Sequence, residues 1–181
     1  MRIGIITFHW GTNYGAVLQA YALQSYLIKE GHDVIIIDYK PKKFNSNLFK
    51  IITSRSILKL EQSIKNLKKE KELARFRNQY LHLSKSYNSL KDLKTDPPKC
   101  DIYISGSDQV LNPTFTLYGE AGRKPASSYY LDFGDRLTRR IGYAVSFGIT
   151  VYPEKAKQIA QPLLKNFDII GVRENSGIDI L

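Results

Sequence analysis

Residues 2–39 read RIGIITFHWGTNYGAVLQAYALQSYLIKEGHDVIIIDY. The run Arg2 to Thr7 is short, apolar and β-branched, which predicts a strand. The stretch GAVLQAYALQSYLIKEGH predicts a helix. Ala16, Val17, Leu18, Ala20, Tyr21, Leu23, Leu27 and Ile28 put apolar groups on nearly every side of it. That distribution predicts a well-buried helix beside a sheet, ended by Gly31 at the C′ position. DVIIIDY predicts a second strand, bounded by Pro41. Strand, helix and strand within about 40 residues form a βαβ unit, and its right-handed crossover makes the two strands parallel.

Four further segments read as strands: CDIYISGSDQV, YYLDF, RRIGYAVSFG and FDIIGVRE. The stop TDPPKC precedes the first of them. NPTFTLYGEAGRKPASS reads as surface loop. YPEKAKQIAQPLLKNF reads as a helix, with Pro153 near its start and Pro162 placed to kink or end it. ENSGIDIL starts another helix. Alternating strands and helices with continuous apolar strands predict an α/β fold, a doubly wound and mostly parallel Rossmann-like sheet. Residues 1–181 read as one domain carrying a basic helical insertion at about 46–95.

The chain has 181 residues and a formal net charge of +10. Residues 40–99 hold 16 Lys/Arg against 5 Asp/Glu, and the remainder holds 11 against 12. The whole excess therefore sits in the insertion. There, SILKLEQSIKNLKKEKELARFRNQYL reads as an amphipathic helix. Ile57, Leu60, Ile64, Leu67 and Ala74 form its apolar stripe, widened by Leu73, Phe76 and Tyr80, with most lysines off it. A solvated basic face is the simplest reading, and attraction to an anionic surface is the functional one. No motif for reading DNA or RNA accompanies it, so nucleic acid is not an expected partner. A single cysteine, Cys100, excludes an intrachain disulfide and a cysteine-rich zinc site. It precedes a buried-strand pattern and reads as a structural thiol in a reducing compartment. The apolar run at the N-terminus is too short for a signal peptide or a membrane span.

In a doubly wound sheet, ligands bind outside the carboxyl ends of the strands. Four polar turns fall there: FHWGTNYG, SGSDQ, SFG and VREN. The first lacks both G-x-G-x-x-G and Gly-Lys-Ser/Thr. Asn13 can cap the helix, whose free N–H groups near Gly15 can receive an anion or a sugar hydroxyl. His9 is a candidate acid or base without a visible partner, and Trp10 and Tyr14 are candidate stacking surfaces. His32 and His82 show no ligand spacing with His9, so no metal is expected. In SGSDQ, Gly106 permits close approach or positive φ, and the Asp108 carboxylate is a candidate base or hydroxyl-orienting group. Ser107 lacks the nucleophile elbow of serine hydrolases. Ser146 follows a further strand. Arg173, beside Glu174, can clamp a carboxylate or phosphate, or simply pair with its neighbour.

Five stretches in order resemble the polysaccharide pyruvyl transferase family: residues 3–39, CDIYISGSDQVLNP, YYLDFGD, RIGYAVSFG and FDIIGVRENSG. They cover most of the chain apart from the basic helical stretch and the LYGEAGRKPASS loop. One departure is Leu111, where the resemblance leads one to expect Trp. The resemblance implies transfer of a pyruvyl group from phosphoenolpyruvate, a substrate rather than a cofactor, to two hydroxyls of a cell-surface polysaccharide sugar. It implies one half of a two-domain fold similar to that of glycosyltransferase-B enzymes. The facing half, absent here, would hold phosphoenolpyruvate. On that basis Asn13, Tyr14 and Gly15 are expected to contact the acceptor. Asp108 and Gln109 would orient its hydroxyls, with Gly106, Ser107, Ser146 and Arg173 completing the wall. The implied partners are a sugar or lipid-linked glycan acceptor and the missing C-terminal domain. The implied location is cytoplasmic, within reach of an anionic inner membrane face through the basic helix. Two other readings stand beside it: a truncated, non-catalytic domain holding a glycan or partner, and a generic nucleotide-binding domain, which the missing phosphate fingerprint disfavours.

Overall fold

The structure, a computed structural model, describes residues 1–40, 57–117 and 127–181, and for residues 57–64 the backbone alone. Five strands form one parallel sheet: β1 (Arg2–Ile6), β2 (Asp33–Ile36), β3 (Ile102–Asp108), β4 (Arg139–Val145) and β5 (Ile169–Val172). Their order is β2-β1-β3-β4-β5. The chain thus builds outward in one direction and then crosses β1 to build in the other. That is the doubly wound, Rossmann-like arrangement. All pairs are parallel, for example Ile3 beside Val34 on one side and Ile102 on the other. The carboxyl ends of the strands therefore share one edge.

Helix α1 (Tyr14–Lys29) covers one face, where Ala20 and Leu23 pack on Ile3, Ile5, Val34, Ile36, Ile102 and Ile104. It ends as its sequence predicts, with His32 N–H donating to Leu27 O (3.1 Å) and Gly31 N–H to Ile28 O (2.9 Å). It is less enclosed than its composition predicts: Leu18, Tyr26 and Ile28 are exposed. The opposite face carries the larger core, with Ile6, Ile37, Tyr103, Val145 and Phe147 under Tyr129, Tyr130, Leu131 and Phe133. Full burial of each such side chain contributes about 1.5–3 kcal/mol.

The inserted helix α2 runs over Ile57–Tyr80. Its expected stripe residues Ile57, Leu60 and Ile64, and positions 46–56 of the insertion with Pro41, lie outside the described side chains. Leu73 is buried, and Phe76 and Tyr80 meet Tyr21 of α1 edge-on at 5.4 and 5.9 Å. Gln24 fixes the end of α2, donating to Tyr80 O (2.9 Å) and accepting from His82 N–H (2.7 Å). The chain then runs parallel to β2 and its extension. Ile36 N–H donates to His82 O, Ser84 N–H to Ile36 O, and Tyr87 N–H to Asp38 O. This segment covers the sheet's open edge. Helix α3 (Leu90–Thr95), capped by Ser89, follows and buries Leu93.

Two expectations fail. YYLDF is not a strand: Ser127–Tyr130 form a 3-10 turn, and four consecutive residues, Ser128 to Leu131, are buried. The carbonyls that a strand would spend on a ladder go to Arg140 instead. Its guanidinium donates to Leu131 O (3.0 Å), Phe133 O (2.9 Å), Asp135 O (2.9 Å) and Thr138 O (2.7 Å). The stretch after Asn112 is not simple surface loop either. Asn112 caps a short helix α4 (Pro113–Thr116), and Val110, Leu111, Thr116 and Leu117 are buried. Leu111, the departure from the resemblance, is thus a packing position. Residues 118–126 of that loop lie outside the described ones. Helix α5 (Glu154–Leu164) buries Ala156 and Ala160 and runs only two residues past Pro162. Helix α6 (Asn175–Ile180) packs Gly177 on Val172. Cys100 is half-buried, and burial, the main cause, pushes its thiol up to about 11.

Candidate functional site

The first turn departs from β1 at Thr7. Asn13 caps α1 as its sequence predicts, its side-chain oxygen accepting from Gly15 N–H at 2.9 Å. Tyr14 is 49% exposed, with Lys69 Nζ of α2 lying 4.4 Å from the centre of its ring. Arg77 of α2 donates to Gly11 O (3.3 Å) and pairs with Glu70 at 2.5 Å. The basic insertion is therefore braced against this turn by two of its own cations.

His9 has the partner that local sequence does not reveal. The ring is 1% exposed. Its Nδ1 lies 3.1 Å from Thr7 O and its Nε2 3.0 Å from Asp38 Oδ1. Asp38 sits just past β2. The hydrogen bond from His9 holds the Asp38 carboxyl below its ordinary 3.8, against the opposing effect of burial, and Ser86 reinforces it. Ser86 donates to the other carboxylate oxygen. A cleft of about 280 Å³ opens here, lined by His9, Trp10, Asp38, Lys40, Ser86 and Asn88, with Ala74, Arg77 and Asn78 of α2 as its far wall. Sequence reading singled out His9 and Trp10 but passed over Asp38, Ser86 and Asn88. The available signal was an acid at the end of β2, after a turn rich in glycine.

The other three turns close on one another. Gly106 has φ +122°, and a Cβ there would lie 2.2 Å from Tyr143 O, so only glycine fits. Thr7 Oγ1 donates to Ser107 O (2.9 Å) and accepts from Gln19 Nε2 (2.8 Å), while Ser107 N–H donates to Gln19 Oε1 (3.2 Å). The crevice between β1 and β3, where the strand order reverses, is bridged by Gln19. Asp108 accepts from Gln109 N–H (2.8 Å), and Gln109 accepts from Asn112 Nδ2 (3.0 Å). Gly148, at φ +63°, lies against both amides: a Cβ would come within 2.6 Å of each. Ser146 is buried and donates to Glu174 Oε1 at 2.7 Å, an oxygen that also accepts from Phe147 N–H at 3.0 Å. Arg173 is half-exposed, its Nε 3.7 Å from Glu174 Oε2.

All the sequence-predicted site residues thus lie on the carboxyl edge. Ser107 is bonded to the first turn, and Asp108, Gln109 and Ser146 belong to a second, linked group with Glu174. Among the described residues no hydrogen bond ties Asn13, Tyr14 or Gly15 to Asp108 or Gln109. None of the described residues gathers three His, Cys, Asp or Glu side chains suited to a metal. No described helix is long and apolar enough to cross a membrane.

No curated protein and no solved structure gives a significant match to the chain. The family model described as polysaccharide pyruvyl transferase matches residues 13–181, from the cap of α1 through the three later turns, with His9 and Trp10 just ahead of it. The fold, the polar carboxyl edge and this match converge: the chain belongs to the polysaccharide pyruvyl transferase family.

Proposed function

We propose that the chain forms the acceptor-side half of an enzyme that moves a pyruvyl group from phosphoenolpyruvate to two hydroxyls of a glycan. The observation that carries this reading is the family match over residues 13–181. The geometry supports the acceptor assignment. The carboxyl edge presents Asn13, Tyr14 and Gly15 at the surface and a polar cleft beside Asp38. Asp108, Gln109 and the half-exposed Arg173 lie along the same edge. Ketal formation joins both acceptor oxygens to C2 of the pyruvyl unit and releases inorganic phosphate. One hydroxyl proton goes to the methylene carbon and the other leaves with phosphate. In this reading the Asp108 carboxylate orients the hydroxyls, and a facing C-terminal half supplies cations for phosphoenolpyruvate. Exposed Lys65, Lys68, Lys71 and Arg75 on α2 support a peripheral contact with an anionic membrane carrying a lipid-linked acceptor.

Phosphate release from phosphoenolpyruvate tests the proposal. It is measured for this chain alone and with the polypeptide encoded immediately downstream, with and without an acceptor glycan. The expected result is release only with both parts and an acceptor. Release by this chain alone sinks the division of labour. No release under any combination sinks the enzymatic reading and leaves a glycan-binding domain.

A further inference from the structure

We propose that the cleft beside Asp38 holds a vicinal diol of a sugar ring, with the Asp38 carboxylate accepting from both hydroxyls. The inference deepens the acceptor reading and rests on it, since that reading is what makes a glycan the expected guest.

Position is the first argument. Asp38 lies two residues beyond β2, on the carboxyl edge and next to the turn that leaves β1. In Rossmann-type sheets a carboxylate at that place grips the two hydroxyls of a ribose. Capacity is the second. An ionised carboxylate offers about four acceptor sites. His9 and Ser86 take one on each oxygen, and the side chain is still 21% exposed toward the cleft. Preorganisation is the third. His9 is buried, anchored through Thr7 O, and fixes the carboxylate in one orientation before any ligand arrives. The remaining lining matches a sugar as well. Asn78 and Asn88 offer both donors and acceptors, Lys40 offers donors, and Trp10 offers an apolar face.

Size and loop sequence narrow the guest. A cleft of about 280 Å³ suits one sugar ring rather than a whole dinucleotide. The turn after β1 lacks the glycine spacing of a phosphate cradle. A pyranose of a glycan and the ribose of a nucleoside share the diol chemistry, and the test separates them.

Trp10 is the only tryptophan in the chain and lines the cleft, and its indole N–H, which donates to the Tyr129 hydroxyl (3.4 Å), gives a single NMR reporter at the cleft wall. The ¹⁵N-labelled full chain is titrated, without phosphoenolpyruvate, with the methyl pyranosides of glucose, galactose and mannose and with uridine, up to roughly 50 mM. The expected result is a saturable shift of the Trp10 signal with at least one pyranoside. Its analogue lacking one hydroxyl of the diol should bind roughly tenfold more weakly. In Asp38→Asn the difference between diol and deoxy sugar should shrink, which a merely structural role would not produce. Should Asp38→Asn fail to fold, Ser86→Ala, which frees one carboxylate oxygen to move, should narrow the same difference. Saturation by uridine with the same diol dependence supports the diol site and assigns its guest to a nucleoside. No shift with any ligand, or equal binding of diol and deoxy analogue, overturns the proposal. Acceptor-dependent phosphate release with a silent Trp10 signal would keep the transferase and remove this site.

Discussion

The two ends of the carboxyl edge are built on opposite plans. Around β3, β4 and β5 the polar groups of the turns satisfy one another: Ser146 with Glu174 and Gln109 with Asn112. Around β1 and β2 the polar groups are equally well positioned but border a cleft. Both regions look alike in the sequence, as short polar turns after apolar strands. The difference teaches that polarity at a strand end marks where a ligand is allowed. Only the spare hydrogen-bonding capacity of the side chains says where one is expected.

Substitutions can break this contrast in order of expected effect. Gly106→Ala strikes the closed region hardest, because its Cβ meets the main-chain oxygen of Tyr143. A loss of more than about 3 kcal/mol is expected in urea unfolding, with little folded protein recovered. Glu174→Ala leaves the Ser146 hydroxyl and Phe147 N–H without their acceptor. It should cost about 2–3 kcal/mol, and Glu174→Gln, which keeps an oxygen in place, should cost clearly less. Arg77→Met addresses the open region. It leaves Glu70 without its cation, in a place where Glu70 Oε2 is already buried without a hydrogen-bond partner among the described groups. About 1–3 kcal/mol is expected, together with faster hydrogen exchange at residues 11–15.

Asp38→Asn should cost under about 1 kcal/mol at neutral pH. Its effect has a defined direction with pH. The folded-state carboxyl is held below its ordinary 3.8, so its contribution to stability is present above the unfolded value and is lost as pH falls through the folded one. Wild type and Asp38→Asn should therefore differ most above about pH 5 and converge in acid. A gap that widens in acid would show that the pairing with His9 has been misread. The smallest effect concerns Cys100. With its thiol pushed up to about 11, alkylation by iodoacetamide at pH 8 should be far slower than for a free cysteine, and should speed up only on unfolding.

Much of the fold was legible because its signals are local. Five apolar runs, the Asn13 cap and the Gly31 terminus each depend on neighbours within a few residues, and each lies where the sequence predicts. YYLDF failed because its fate depends on Arg140, whose guanidinium gathers carbonyls from Leu131 to Thr138. Composition alone gives two tyrosines and a phenylalanine the look of a strand. The candidate cleft was illegible for a related reason. Asp38 and Ser86 are 48 residues apart and meet only because the chain after α2 runs along β2. Asp38 by itself is the polar end of DVIIIDY. His9 without Asp38 is a lone histidine.

The bracing of α2 against the first turn has a consequence for how such a chain can change. The floor of the cleft, from His9 to Asp38, belongs to the first βαβ unit. Its far wall, Ala74, Arg77 and Asn78, is written in a separate stretch held by aromatic contacts with Tyr21, the Gln24 amide, two cations and a strip of edge pairing. Replacing or resizing that stretch would recut the cleft for a different guest while every strand kept its register. The insertion is in that sense an interchangeable jaw set on a fixed anvil.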